Sequence, residues 1–153
     1  MGRQERDHNR PNQRQTNQGR QGQRSGRPGQ GEGQQRFNLT FDPKILTEGG
    51  EILVDMADKL GQQLSRNNLT TSQIRGIYGA VKKMQTREFD SHRFIMLKPK
   101  LAYAAKRDQA VAPLEQMLRP AITEVGDDQQ KFARFVDFFE AILAYHKFHG
   151  GRD

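Results

Sequence analysis

The chain has 153 residues, no cysteine and a formal net charge of +7, which suits one domain and excludes disulfide frameworks and thiolate metal sites. No apolar run approaches the roughly 18 residues a membrane helix needs, and the basic N-terminus is not followed by the apolar stretch of a secretory signal. The expectation is a soluble, cytoplasmic protein with no membrane partner and no cofactor.

The charge is unevenly spread. Residues 1–36 carry eight Arg against three acids, and residues 75–107 carry nine basic side chains against Glu88 and Asp90. Residues 37–74 hold three basic and five acidic side chains, and residues 108–153 five and eight. Beyond the N-terminal segment the cations are therefore concentrated in mid-chain. That pattern suits one anionic partner meeting one surface.

Residues 1–36 are Arg, Gln, Gly and Asn with almost nothing apolar after Met1. Such a segment cannot bury enough surface to offset its ordering entropy, so it is expected to be a disordered tail. Scattered Gly-Arg and Gln-Gly pairs can hold RNA loosely, or the tail can serve only as a solubilising linker. A single helical domain is expected over residues 37–153. Asp42-Pro43 reads as a cap and first helical position for a short turn that Gly49-Gly50 ends. Leu53, Met56, Ala57, Leu60 and Leu64 recur at helical spacing and predict an amphipathic helix from Glu51 to about Ser65, stopped at Asn67-Asn68.

Thr70 and Gln73 form a capping box, with Leu69 and Ile74 as the flanking hydrophobic staple. The helix they start puts Ile74, Ile77, Tyr78, Val81 and Met84 on one face, with Arg75, Lys82 and Lys83 away from it and Arg87 near its end. Gly76 and Gly79 weaken it by about 1 kcal/mol each relative to Ala, and tight packing against another helix is the expected reason for them. Ser91 is expected to cap a short helix with Phe94, Ile95 and Leu97. Leu97–Arg107 then carries Lys98, Lys100, Lys106 and Arg107 with no acid among them, and Pro99 suits the first turn of its helix. Pro113 predicts the start of the next helix, with a kink or break at Pro120 and a stop at Gly126. Asp127 or Asp128 should cap a long last helix, Gln129 to about His149, with Phe132, Phe135, Val136, Phe139, Ile142, Leu143 and His146 on its core face. Phe138, Tyr145 and Phe148 widen that arc, so this helix is either central in its own bundle or shared with a partner. Five to six helices and no confident strand predict an all-α, compact bundle able to bury about two thirds of its extended-chain surface.

Little in the chain asks for chemistry. His146 and His149 are three apart, but His146 falls on the apolar stripe and reads as a packed core histidine, while His92 is isolated. Asp127-Asp128 belong to a cap, and no phosphate loop or nucleophilic triad stands out, so neither a catalytic nor a metal site is expected.

Three stretches are recognisable together: LTTSQIRGIYGAVKKM (Leu69 to Met84), LKPKLAYAAKR (Leu97 to Arg107) and FVDFFEAILAYHKFHGG (Phe135 to Gly151). In that order and spacing they resemble the small helical subunit of type III-A CRISPR effector complexes, the Csm small subunit. The Arg-Gln-Gly tail is not part of that pattern, and related chains often have Gly where this one has Lys106. The resemblance implies a non-catalytic subunit, several copies of which stack beside the other Csm effector subunits. It implies contacts with the backbone of guide RNA and target RNA through a basic surface. The residues expected to touch phosphate are Arg75, Lys82, Lys83, Arg87, Lys98, Lys100, Lys106 and Arg107. A helix-turn-helix-like DNA-binding regulator, with TTSQIRGIYGAV opening one helix, is the alternative reading. A small enzyme using His92 or His146 is the third.

Overall fold

A computed structural model describes residues 38–153, and the expected disordered tail lies outside the described residues. Seven helical segments follow in order: α1 (Lys44–Thr47), α2 (Glu51–Arg66), α3 (Thr71–Gln85), α4 (Ser91–Ile95), α5 (Leu97–Arg107), α6 (Ala112–Val125) and α7 (Gln129–Phe148). A single 3-10 turn, Gln109–Val111, joins α5 to α6. Five of the helices have eleven or more residues, and there is no strand among the described residues, so the all-α bundle is what forms.

Local signals start most of these helices. The Asp42 carboxylate accepts from the Lys44 amide at 2.9 Å, and Gly49 and Gly50 break the chain between α1 and α2 with φ of 64° and 65°. At α3 the box is reciprocal: Thr70 Oγ1 accepts from the Gln73 amide at 3.2 Å, and Gln73 Oε1 accepts from the Thr70 amide at 3.0 Å. Such a cap typically contributes about 1 kcal/mol. Asp128 caps α7 through the amides of Gln130 and Lys131.

One local expectation needs correction, and another is narrowed. The cap of α4 is Asp90, not Ser91: its Oδ1 accepts from the amides of His92 and Arg93 at 3.0 and 3.3 Å. A carboxylate there also meets the positive end of the helix dipole, which a hydroxyl does not. Of the kink or break expected at Pro120, the break does not occur: α6 runs on to Val125. Pro120 and Gln116 are both exposed, so the carbonyl that loses its donor can be met by water. Pro99 lies in the first turn of α5, where its missing N–H leaves no helical bond unmade.

The last helix is the centre of the bundle. It packs against α1, α2, α3 and α6, and Phe132, Phe135, Val136, Phe138, Phe139 and Ile142 are all buried. Its wide aromatic arc is thus filled from within, apart from Phe148, which is 78% exposed. Phe94 meets Phe132 and Phe135 edge-on, with centroids 5.1 and 4.9 Å apart, and so pins α4 to α7.

Where α2 crosses α7 the close approach is at Gly61. A Cβ there would stand 2.7 Å from both the His146 amide nitrogen and the Tyr145 Cβ. Gly76 and Gly79 do something else. Nothing lies within 4 Å of a Cβ at either position, so the expected helix packing is not the reason for them. His146 is the core histidine the pattern suggests. It is fully buried, and its Nε2 lies 2.6 Å from the Leu69 carbonyl, which requires the Nε2–H tautomer as donor when the ring is neutral. His149 Nε2 instead meets Asp58 Oδ1 at 2.5 Å, so the two rings serve separate partners.

Candidate nucleic-acid interface

The inner face of α3 is spent on the core: Ile74 and Val81 are buried, and Ile77, Tyr78 and Met84 pack partly against it. Residues on the opposite face follow by three-and-four spacing: Arg75, Gly79 and Lys83 on one line, Gly76 and Ala80 on the next, and Arg87 follows in the turn just past the end of the helix. Small residues therefore sit between long cationic ones. From Arg75 to Lys83 this face runs about 12 Å at the helical rise.

A second wall stands beside it. The turn after α3 holds Glu88 and Asp90, α4 supplies Arg93, and α5 supplies Lys100. Between the walls is an open groove of about 740 Å³ lined by Arg75, Lys83, Arg87, Arg93 and Lys100 over a floor of Gly76, Gly79, Ala80 and Met84. The walls are tied at one end. Gln73 Nε2, beside the α3 cap, donates to Asp108 Oδ2 at 2.6 Å just past the end of α5. That hydrogen bond, helped by the Ala110 amide, holds the Asp108 carboxyl below the usual carboxylate range against the opposing effect of burial.

The structure thus divides the eight sequence-predicted residues. Arg75, Lys83, Arg87 and Lys100 converge on the groove. Lys82 stands at the edge of α3, where its Nζ donates to Gln85 Oε1 at 2.9 Å and lies 6.0 Å from the Tyr78 ring centroid. Lys98 is half-buried, and its Nζ donates to Thr123 Oγ1 at 2.5 Å, towards α6. Lys106 and Arg107 are exposed in the last turn of α5 without lining the groove, Arg107 at 5.8 Å from the Tyr103 ring. Among the described residues none of the eight forms an ion pair within 4.0 Å.

Arg93 was not among the predicted contacts. Its local pairing with Asp90, at 3.6 Å and largely exposed, is worth little and leaves most of its donors to solvent. The groove therefore gathers five cations against two carboxylates, and Asp90 is already committed to the α4 cap. Outside the groove lining, Asp153 is held by Lys147 at 2.5 Å. The hydrogen bond and charge of Lys147, with Arg75 further off, keep its carboxyl below the usual range. Five cations on two rigid walls can neutralise phosphates. No group of three or more His, Asp and Glu side chains among the described residues is arranged to hold a metal.

Residues 47–152 match the family described as Csm2 Type III-A. A curated relative from Streptococcus thermophilus, named CRISPR system Cms protein Csm2, is 33% identical over 122 residues, which covers 71% of this chain and 98% of that protein. No solved structure matches the chain. The matched region contains every residue of the groove and all of α2 to α7, and on both comparisons the chain belongs to the Csm2 family of type III-A CRISPR systems.

Proposed function

We propose that this Csm2-family chain is a non-catalytic RNA-binding and scaffolding subunit of a type III-A CRISPR interference complex. In this reading it lies beside other Csm effector subunits and neighbouring copies of itself. Its basic face borders the path where guide RNA pairs with target RNA, and it touches backbone and not base edges. The observation that carries the reading is the groove: five cations from α3, the turn after it, α4 and α5 facing one channel, against only Glu88 and Asp90. Long cationic side chains on exposed walls suit phosphate neutralisation, which carries no sequence information. His146 and His149 are engaged with Leu69 and Asp58, so neither is presented to the groove as an acid–base group.

The test uses protein lacking residues 1–36 and single-stranded RNAs of unrelated sequence, titrated at several salt concentrations. Five phosphate contacts predict a log–log slope of about −3.5. The Lys83→Ala, Arg87→Ala, Lys100→Ala triple variant should bind every RNA more weakly by the same factor, with a slope of about −1.4 for the two contacts left. Unchanged binding in that variant, or a strong preference for one duplex DNA sequence, would overturn the proposal.

A further inference from the structure

The groove raises a question that the cations alone do not answer: why two positions of its floor carry no side chain. Glycine is, after proline, the worst residue for a helix interior, yet α3 holds two of them three positions apart. Neither has a neighbour within 4 Å of a Cβ, so internal packing does not require them, in contrast to Gly61. Both lie between Arg75 on one side and Lys83 and Arg87 on the other, inside the cavity those cations line. A side chain at either position would stand in the channel among the cationic heads.

We propose that the sugar-phosphate backbone of a single strand lies directly on the main chain of α3 at Gly76 and Gly79, with Arg93 closing over it from the opposite wall. This rests on the RNA-binding reading above and adds to it where the strand runs and which residues set how close it comes. The bare floor brings phosphates within reach of both walls at once, so that each is shared by cations of α3 and of α4–α5. The occupant is a polyanion and not a partner helix. Five cations face the channel against Glu88 and Asp90, and its apolar floor is limited to Ala80 and Met84. An apolar helix face would find too little to bury there.

The test compares the full chain with three variants: Gly76→Ala/Gly79→Ala, Gly79→Leu, and the triple cation variant above. The probe is a labelled single-stranded oligouridylate, followed by anisotropy, with thermal unfolding measured in parallel. The double Ala variant should unfold at a higher temperature, because helix propensity rises and an added Cβ meets nothing within 4 Å. RNA affinity should nonetheless fall roughly tenfold in the double Ala variant, the size of one lost charge-assisted hydrogen bond, and further with Leu. If the glycine variants bind like the parent while the cation variant is weakened, the groove reading stands and the floor proposal falls. If the cation variant is also unchanged, the reading beneath it falls. A lower unfolding temperature would mean that the glycines are packing residues and would overturn the proposal. So would loss of co-purifying subunits with RNA affinity intact, which would make the floor a protein contact.

Discussion

A single methyl group has opposite consequences at different glycines of this chain. At position 61 it would press against main-chain atoms of α7, the His146 nitrogen at 2.7 Å and the Tyr145 carbonyl carbon at 2.9 Å. Backbone atoms in the middle of a helix cannot swing aside, so α2 and α7 would have to separate. Overpacking of that kind costs about 1–3 kcal/mol. Gly61→Ala should therefore lower the thermal midpoint although alanine is the better helix former, and equilibrium unfolding in urea would measure it. A midpoint at or above that of the parent would show that the α2–α7 contact gives way easily. Gly151 is a second such place, since a Cβ there would run into the His146 ring. Nothing in the sequence around Gly61 separates it from Gly76 or Gly79. The difference lies in which helix crosses above, and that is set by residues more than eighty positions away.

At the scale of elements, α3 is secured at its start by two layers of contact. The Thr70–Gln73 box satisfies the first amides, and the same Gln73 reaches Asp108 beyond α5. Because folding lowers the Asp108 pKa below its ordinary 3.8, the charged carboxylate favours the folded state. That contribution is fully present above the unfolded value and is lost as pH falls through the lower, folded one. Asp108→Asn keeps the shape and removes the charge. It should lower stability at neutral pH and unfold with a flatter acid limb that converges on the parent at low pH. Parallel acid limbs in the two proteins would show that the Gln73 contact does not favour the ionised form. The box was legible in the sequence because its partners are three residues apart. The long helices were legible because their apolar period is written in the side chains, whereas whether Pro120 would break α6 was not, because its cost depends on whether its side of the helix faces water. For the site, the cations of α3 could be placed on one face from spacing alone. Which cations of α4 and α5 complete the groove depends on how those helices turn back against α3. Hence Lys98, directed to Thr123, looked equivalent to Lys100, and Arg93 was hidden by its neighbour Asp90.

For the whole molecule, charge is sorted by surface. The exposed acids Glu51 and Asp55 on α2 and Asp137 and Glu140 on α7 belong to the helices that pair in the core, while α3, α4, α5 and the turn after α3 carry the groove cations. The N-terminal segment adds eight Arg and three acids to this. Arg36–Asp153 forms a compact unit by itself, and the family match begins only at residue 47. Deleting residues 1–36 should accordingly leave the thermal midpoint unchanged, since every described core residue is kept. RNA binding should respond differently. Each tail arginine that meets a phosphate releases counterions, so four engaged arginines would steepen the salt slope of the full chain by about 2.8 relative to the truncated one. The excess affinity should shrink as salt rises and be the same for every RNA sequence. Equal slopes with and without the segment would show that its arginines make no phosphate contacts and that the groove carries the affinity alone. A fall in midpoint on truncation would place part of the segment in the fold.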